Sequence, residues 1–148
     1  MKRKSKHAIA YIDGSSIGNP GPAGIGVLIF IADNEDLLRS NPKIIRISEP
    51  IGFATNNQAE YKALIKALEE AGKRNVKSIK IFSDSQLLVR QMNGTYKIKS
   101  KNILELYDKA VRLIGQFEDA QIMYISRQQN HEADKLAKKA AKMSAKNL

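Results

Sequence analysis

The sequence of 148 residues contains no cysteine, only two histidines and no long apolar run. The absence of cysteine excludes disulfide bonds and thiolate metal sites, and no paired-histidine motif suggests a zinc hydrolase. No run of about 18 apolar residues exists, so no membrane span is predicted. The basic start at residues 1–6 precedes an apolar stretch that ends at Asp13, which is too short for a secretory signal. We therefore expect a cytoplasmic protein that does not enter a membrane.

Acidic residues are scarce relative to basic ones. Twenty-five lysines and arginines face 15 aspartates and glutamates, which gives a net charge of +10. Such an excess favours a polyanionic partner, because lysine and arginine gain by displacing counterions from phosphates. The alternative, a soluble protein that is merely basic, stays open on charge alone. The hydrophobic share of 43% is sufficient for a folded core.

Hydrophobic periodicity and the glycine and proline positions predict the element order β-β-β-α-β-α-α-β-α. Strands are predicted at residues 7–13, 24–32, 43–51, 78–83 and 121–126. Helices are predicted from a cap at Thr55, Asn56 or Asn57 to Gly72, over 85–92, from a cap at Ser100 to 114, and from about Asn130 onward. This order predicts an α/β fold with a mixed sheet, antiparallel at one edge and parallel at the other, flanked by helices.

We expect a single domain over residues 1–148. The lysine- and alanine-rich stretch from Lys138 onward is typical of a fraying helix end or a mobile arm. A basic C-terminal tail is therefore predicted at about 141–148.

Four acidic residues occupy positions that suggest chemistry. Asp13 and Asp84 each end a predicted strand, where functional groups of α/β sheets gather, although an aspartate there is also a common turn residue. Glu60 lies on the buried stripe of its helix, where a carboxylate is unfavourable unless it is paired or binds a metal. Its alternative role is to close a helix cap. Asp134 lies in the first turn of the last helix, where it could simply complement the helix dipole.

Taken together, the four carboxylates suggest a site for hard divalent cations such as Mg²⁺, which prefer oxygen ligands. Two such ions roughly 3.5–4 Å apart can clamp a phosphodiester. One would activate the attacking water and the other would stabilise the leaving oxygen. A basic surface around this acidic site would hold the nucleic acid.

Four short motifs contain these acids: DGS at 13–15 followed by GNPGPAG at 18–24, TNNQAEY at 55–61, SDSQ at 83–86, and NHEAD at 130–134. In this order and at these intervals they resemble the motifs of type 1 ribonuclease H, and the resemblance covers nearly the whole chain. It implies a five-stranded ribonuclease H-like fold, in which the first three strands are antiparallel and the fourth and fifth are parallel to the first. The implied activity is endonucleolytic hydrolysis of the RNA strand of RNA–DNA hybrids, leaving 5′-phosphate ends.

The resemblance also implies residue roles. Asp13, Glu60, Asp84 and Asp134 would be catalytic and would bind two ions, Mg²⁺ or Mn²⁺, together with the substrate. Asn19 and Thr55 would hold a phosphate of the DNA strand. The residues that would line the minor groove and contact the RNA strand are Gly14, Ser15, Asn57, Gln58 and Gln86. Small and amide side chains suit contacts with 2′-hydroxyls, although Asn57 is equally suited to capping a helix.

Two departures from the family pattern are present. Many members carry a histidine that assists proton transfer or product release in a flexible loop before the last helix, whereas here this loop is the short segment 126–130. Arg127 or His131 could take over part of that role, but arginine cannot act as a base near neutral pH. The basic protrusion of many members is also missing, since residues 91–100 contain only two lysines. The chain thus resembles the short prokaryotic or archaeal form.

The main alternative is a hybrid- or duplex-binding module of the same fold that has weak or no catalysis. The presence of all four acids argues against it, because degenerate copies are expected to lose at least one. A resolvase-like or integrase-like nuclease fits the DGS and NNQAE motifs less well, and a structural ribosome-associated protein leaves the acids unexplained. Double-stranded RNA is a second candidate substrate, and a monomer is expected.

Overall fold

The computed structural model describes residues 5–148, so the first four residues of the basic start lie outside it. The strands are β1 (Lys6–Ser16), β2 (Gly21–Ala32), β3 (Lys43–Ala54), β4 (Val76–Ser83) and β5 (Asp119–Tyr124). The helices are α1 (Glu35–Ser40), α2 (Asn56–Lys73), α3 (Gln86–Met92), α4 (Lys101–Ile114) and α5 (His131–Lys146), with a 3₁₀ turn at Arg127–Asn130. Within this range, no helix combines the length and apolarity that crossing a bilayer demands.

The five strands form one mixed sheet in the order β3-β2-β1-β4-β5. The pairs β1–β2 and β2–β3 are antiparallel, and the pairs β1–β4 and β4–β5 are parallel, which confirms the predicted fold class. In the parallel pair of β1 and β4, Ile12 lies beside Ser83. The residues that follow these two positions, Asp13 and Asp84, are therefore neighbours at the same end of the sheet.

Helix α1 was not predicted, because none of its residues is buried and it lacks an apolar stripe. It is defined by its cap instead, since the Asn34 side chain accepts a hydrogen bond from the Leu37 amide at 2.9 Å. The strand bounds also differ from those predicted. β1 continues through Gly14 to Ser16, because each of these residues keeps a partner on β2.

The core lies mainly between the sheet and α2, which α4 covers from outside. α2 places Tyr61, Leu64 and Leu68 in this core, each no more than 1% exposed. Side chains alternate between the two faces of a strand, so the opposite face of β1 and β2 is open to a second layer. Helix α5 provides that layer.

Small residues allow α5 to lie directly on β2. A Cβ atom at Gly24 would overlap the backbone of Ala140, and one at Gly26 would overlap the carbonyl oxygen of Ala133. The side of α5 that faces the sheet carries only small buried residues, namely Ala133, Ala137, Ala140, Ala141 and Ser144. Asp134 is thereby held next to the end of β1, because Gly26 is the β2 partner of Asp13.

The predicted C-terminal tail takes a different form. Helix α5 continues to Lys146, and within the tail both Ala141 and Ser144 are buried. The Ser144 hydroxyl donates a hydrogen bond to the Ala23 carbonyl at 2.6 Å. Most of residues 141–148 therefore form part of the packed helix.

Replacing Gly26 with alanine should separate α5 from the sheet. We expect Gly26→Ala to lower the free energy of unfolding by about 1–3 kcal/mol, since the neighbouring atoms are backbone and cannot move aside. Gly72→Ala is the matched control, because a Cβ there contacts nothing within 4 Å. It should be neutral or stabilising by up to about 1 kcal/mol. Urea denaturation measures both, and equal stability of Gly26→Ala and the parent would contradict the close approach.

Candidate active site

Three carboxylates converge where β1 and β4 end. Asp13 lies near the end of β1, Asp84 follows β4 directly, and Glu60 lies one turn into α2. Each offers an oxygen atom, and these oxygen atoms all lie within 4.8 Å of one another. The sequence predicted this convergence from the strand ends and from the buried stripe of α2.

The cap of α2 fixes where Glu60 lies. Thr55 is the N-cap: its hydroxyl accepts from the Gln58 amide at 3.1 Å, and the Gln58 side chain accepts from the Thr55 amide at 2.8 Å. This reciprocal pair is a complete capping box. Glu60 takes no part in it, so the capping role considered for Glu60 is wrong.

A glycine brings the first strand against the start of α2. A Cβ at Gly14 would overlap the backbone of Ala59 and Glu60. The Gly14 amide also donates to the Asp13 carboxylate at 2.9 Å. Gly14 therefore has a structural role in bringing Asp13 and Glu60 together, beyond the substrate contact that the sequence suggested.

Burial makes the two inner carboxylates hard to ionise. Asp13 is 5% exposed and Glu60 is 7% exposed. Burial, together with the nearby Asp84 and Asp134, raises the pKa of Asp13 to about 7, although a hydrogen bond with Glu60 acts in the opposite direction. Burial and the neighbouring Asp13 raise the pKa of Glu60 well above its ordinary value.

One oxygen of this cluster lacks a partner. The buried Glu60 Oε2 accepts no hydrogen bond from any residue of the described chain. A buried acceptor without a donor is unfavourable by about 1–3 kcal/mol. A divalent cation would satisfy this oxygen and offset the repulsion among the carboxylates, so the donor set fits a hard metal ion.

The outer carboxylates are better compensated. Burial raises the pKa of Asp84, and a hydrogen bond from Asn130 and the positive charge of Arg127 only partly oppose this. Burial also acts to raise the pKa of Asp134, but Lys138 and a hydrogen bond with Asp13 outweigh it and hold the pKa below its usual value. The Lys138 ammonium lies 3.1 Å from the Asp134 carboxylate. Asp134 is thus ionised most readily.

Asn130 is a site residue that the sequence did not reveal. The sequence predicted it as the start of the last helix and as the first residue of the NHEAD motif, with no role of its own, but its side chain makes no capping hydrogen bond. Instead its amide donates to the Ile12 carbonyl at 2.8 Å and to Asp84 Oδ2 at 3.4 Å. Asn130 is 1% exposed and so connects the start of α5 to the ends of β1 and β4.

The carboxylates open into a cavity of about 660 Å³. Of the residues predicted to contact substrate, those that line it are Gly14, Ser15, Asn19, Asn57 and Arg127. Those that do not line it are Thr55, Gln58, Gln86 and His131. His131 lies beside a separate cavity with Tyr11 and Phe30, so it is not placed to act at the carboxylates. Lining residues that were not predicted as substrate contacts are Ser16, Asn56, Ser85, Leu87, Tyr124 and Lys138.

A polar corner on one side of the cavity joins the β1–β2 loop to α2. The Asn56 backbone N–H donates to Asn19 Oδ1 at 3.0 Å, and the Ser16 backbone N–H donates to Asn56 Oδ1 at 3.0 Å. Thr55, which caps the helix, lies next to Asn56. A helix N-terminus with amide side chains around it is suited to an anionic group.

Sequence comparison places the chain among known proteins. The family described as reverse transcriptase-like matches residues 12–140. The bifunctional protein Rv2228c of Mycobacterium tuberculosis is 38% identical over 135 residues. That match covers 91% of this chain but 35% of the mycobacterial protein, so this chain spans about a third of its length.

Solved structures share the fold closely. RNase H1 from the halophilic archaeon Halobacterium salinarum superposes with a TM-score of 0.82 at 36% identity, covering 92% of this chain and 98% of that one. LC11-RNase H1, solved in complex with an RNA/DNA hybrid, superposes with a TM-score of 0.79 at 35% identity, covering 93% and 99%.

The buried carboxylates should make the metal-free protein less stable as pH rises. The folded pKa of Asp13 is about 7, above its ordinary 3.8, so its protonated form stabilises the fold at low pH. That contribution is complete below about pH 4 and is lost as pH rises through 7. Asp13→Asn should remove this loss. Between pH 4 and 8, the free energy of unfolding of the variant should therefore rise relative to that of the parent by up to about 4 kcal/mol.

Urea denaturation in chelator at several pH values tests this. Asp33→Asn is the control, because Asp33 is exposed and remote from the cluster. A difference in the free energy of unfolding between Asp13→Asn and the parent that stays constant across this pH range would show that burial does not keep Asp13 protonated.

Loss of the Asn130 side-chain amide should destabilise the fold next to the carboxylates. Asn130→Ala leaves the buried Ile12 carbonyl without its donor, so the free energy of unfolding should fall by about 1–3 kcal/mol. Gln128→Ala, at an exposed neighbour, should change it by less than about 0.5 kcal/mol. Thermal or urea denaturation measures both, and similar stabilities for the two variants would remove Asn130 from this role.

Proposed function

Because this chain belongs to the reverse transcriptase-like family that includes the type 1 ribonucleases H, we propose that it hydrolyses the RNA strand of RNA–DNA hybrids. The products would carry 5′-phosphate ends. The observation that carries this proposal is the buried cluster of Asp13, Glu60 and Asp84, whose oxygen atoms lie within 4.8 Å of one another. The likeness to an RNase H1 solved with an RNA/DNA hybrid supports the choice of substrate.

The cluster would bind Mg²⁺ or Mn²⁺. Asp13, Glu60 and Asp84 form this cluster, and Asp134 lines the same cavity. When bound, two such ions supply charge stabilisation at the attacking and leaving oxygens of a phosphodiester. The unpartnered Glu60 Oε2 and the raised pKa values of Asp13 and Glu60 support cation binding, since both features are relieved when positive charge enters.

The remaining residues would position the site and its substrate. Asn130 holds the Asp84 carboxylate, and Lys138 holds that of Asp134. Arg127 lines the cavity, and a guanidinium group offers only hydrogen-bond donors, so it would bind a phosphate oxygen rather than accept a proton. In this proposal Arg127 binds substrate in place of the loop histidine of many family members, and His131, which lies beside a separate cavity, takes no part.

Substrate would be held on the other side of the cavity by the polar corner. Asn19 lies there beside the start of α2, with Thr55 behind it, and the two would bind a DNA phosphate. Gly14, Ser15 and Asn57 line the cavity next to the carboxylates and would face the minor groove. The Gln58 side-chain carbonyl is engaged in the capping box and Gln86 is exposed, so these two residues would contact substrate only outside the cavity.

We propose further that residues 1–148 act as one domain and as a monomer in the cytoplasm. The single five-stranded sheet supports one domain, because all described strands belong to it. Double-stranded RNA is the second substrate to be tested.

Removing one carboxylate should abolish hydrolysis without loss of the fold. Asp84→Asn should lower the rate of RNA cleavage by at least about 100-fold, because a neutral amide binds a divalent cation poorly. Asp108→Asn, at an exposed position on α4, should cleave at the parent's rate. The measurement uses one end-labelled RNA strand annealed to DNA or to RNA, with Mg²⁺, Mn²⁺ or chelator.

Cleavage of the hybrid that vanishes in chelator and in Asp84→Asn is the expected result. Full activity of folded Asp84→Asn would refute the carboxylate assignment. A folded parent that binds the hybrid but never cuts it, with either ion, would instead support the binding module.

A further inference from the structure

The outer side of α5 carries a row of lysines. Lys135, Lys138, Lys139, Lys142 and Lys146 follow one another at intervals of one, three or four residues and, with Met143, line a shallow groove of about 450 Å³. Such intervals place side chains on one side of a helix. We call these five residues the lysine row.

The charge of the lysine row is largely uncompensated. Lys138 pairs with Asp134, but the other four have no acidic group within 4 Å among residues 5–148. By contrast, Lys66 on α2 lies within 4 Å of both Glu49 and Glu70. Four like charges on one helix repel one another, so the row does not serve the stability of α5.

The helix beneath the row is firmly attached. The Ser48 hydroxyl donates to the Leu136 carbonyl at 2.7 Å, and the Gly52 amide donates to the Ser144 hydroxyl at 3.2 Å. These bonds connect α5 to β3 at two points, in addition to its contact with β2. The lysine row is therefore presented on a rigid support, which reduces the entropy lost when a ligand binds.

The lysine row adjoins the carboxylate cavity. Lys138 lines both the cavity and the lysine groove. From Lys135 to Lys146 the helix extends about 17 Å at 1.5 Å per residue. This length corresponds to about five base pairs of a duplex.

We propose that the lysine row is a phosphate-binding surface for the backbone of the nucleic acid whose RNA strand lies in the carboxylate cavity. This inference rests on the proposed function and adds a binding surface outside the cavity. Lysine ammonium groups act as mobile point charges, so they suit phosphates at variable positions. The groove contains no aromatic or amide side chain, so it would contact the backbone without reading the sequence.

A nucleic acid fits this surface better than an anionic membrane does. A helix that binds a bilayer inserts an apolar side, but the apolar side of α5 is buried against the sheet. Met143 is the large apolar residue exposed in the groove. A single thioether gives little insertion energy, whereas a row of charges gives strong, salt-dependent attraction to phosphates.

The test compares two triple variants with equal loss of charge. The first, Lys139→Gln, Lys142→Gln and Lys146→Gln, removes most of the lysine row but leaves Lys138 at the cavity. The matched control, Arg39→Gln, Lys43→Gln and Lys80→Gln, removes three exposed charges from outside the carboxylate cavity and the lysine groove. Binding to an RNA–DNA hybrid of about 20 base pairs is measured in chelator over a range of salt concentrations.

We expect the row variant to raise Kd at 100 mM salt by at least about 10-fold and to reduce the slope of log K against log salt by roughly 2–3. The control should change the slope by less than about 1. With Mg²⁺, the row variant should raise KM for the hybrid while kcat at saturation stays unchanged.

Equal slopes and affinities for the two variants would overturn the inference, even if the parent cleaves hybrids and the proposed function stands. A parent that never cleaves but shows the expected difference in slope would leave the binding surface established without the nuclease. Loss of binding to phosphatidylserine vesicles in the row variant, with hybrid binding unchanged, would assign the row to a membrane and overturn the inference.

Discussion

The structure depends on holding carboxylates together in a place where they repel one another. Asp13 and Glu60 are both nearly inaccessible to water, and Asp84 and Asp134 lie beside them. At short range and away from water, like charges interact far more strongly than on an exposed surface. The fold opposes this repulsion with rigid elements: the ends of two neighbouring parallel strands, a capped helix on one face of the sheet and a closely packed helix on the other. The same rigid elements would hold the carboxylates in place when divalent cations bind.

Two glycines allow helices to pack closely against the strands beside the carboxylates. Gly14 lets the start of α2 approach β1, and Gly26 lets α5 approach β2 at the partner position of Asp13. Each glycine lies one residue from a catalytic candidate or directly beside it in the sheet. Gly14 belongs to the DGS motif and Gly26 lies outside the four motifs, yet both affect the distances among the carboxylates. A larger side chain at either position would separate the acids as well as destabilise the fold.

The sequence predicted those features that depend on periodicity and strand ends. The mixed sheet, the burial of Glu60 and the convergence of Asp13 with Asp84 follow from such patterns, and the structure agrees. It could not predict α1, whose residues are all accessible and which is defined by the Asn34 cap. Nor could it predict the hydrogen bonds of the Asn130 side chain. Its partner Ile12 is 118 residues away, and its position before a helix is also typical of a cap. Long-range hydrogen bonds have no local pattern in the sequence. His131 shows that closeness in sequence does not ensure a shared site. It belongs to the same motif as Asp134 but lines a different cavity.

The net charge of +10 and the acidic cavity belong to one electrostatic arrangement. A polyanion approaching the bare carboxylates would be repelled, so attraction must come from groups that lie outside the cavity but continuous with it. Lys138 lies at that boundary, since it pairs with Asp134 and lines both the cavity and the lysine groove. Bound cations would remove the remaining repulsion inside. Attraction by the surface and neutralisation by cations are then separate requirements: the first sets how strongly a phosphate backbone is held, and the second sets whether a phosphodiester can enter the cluster at all.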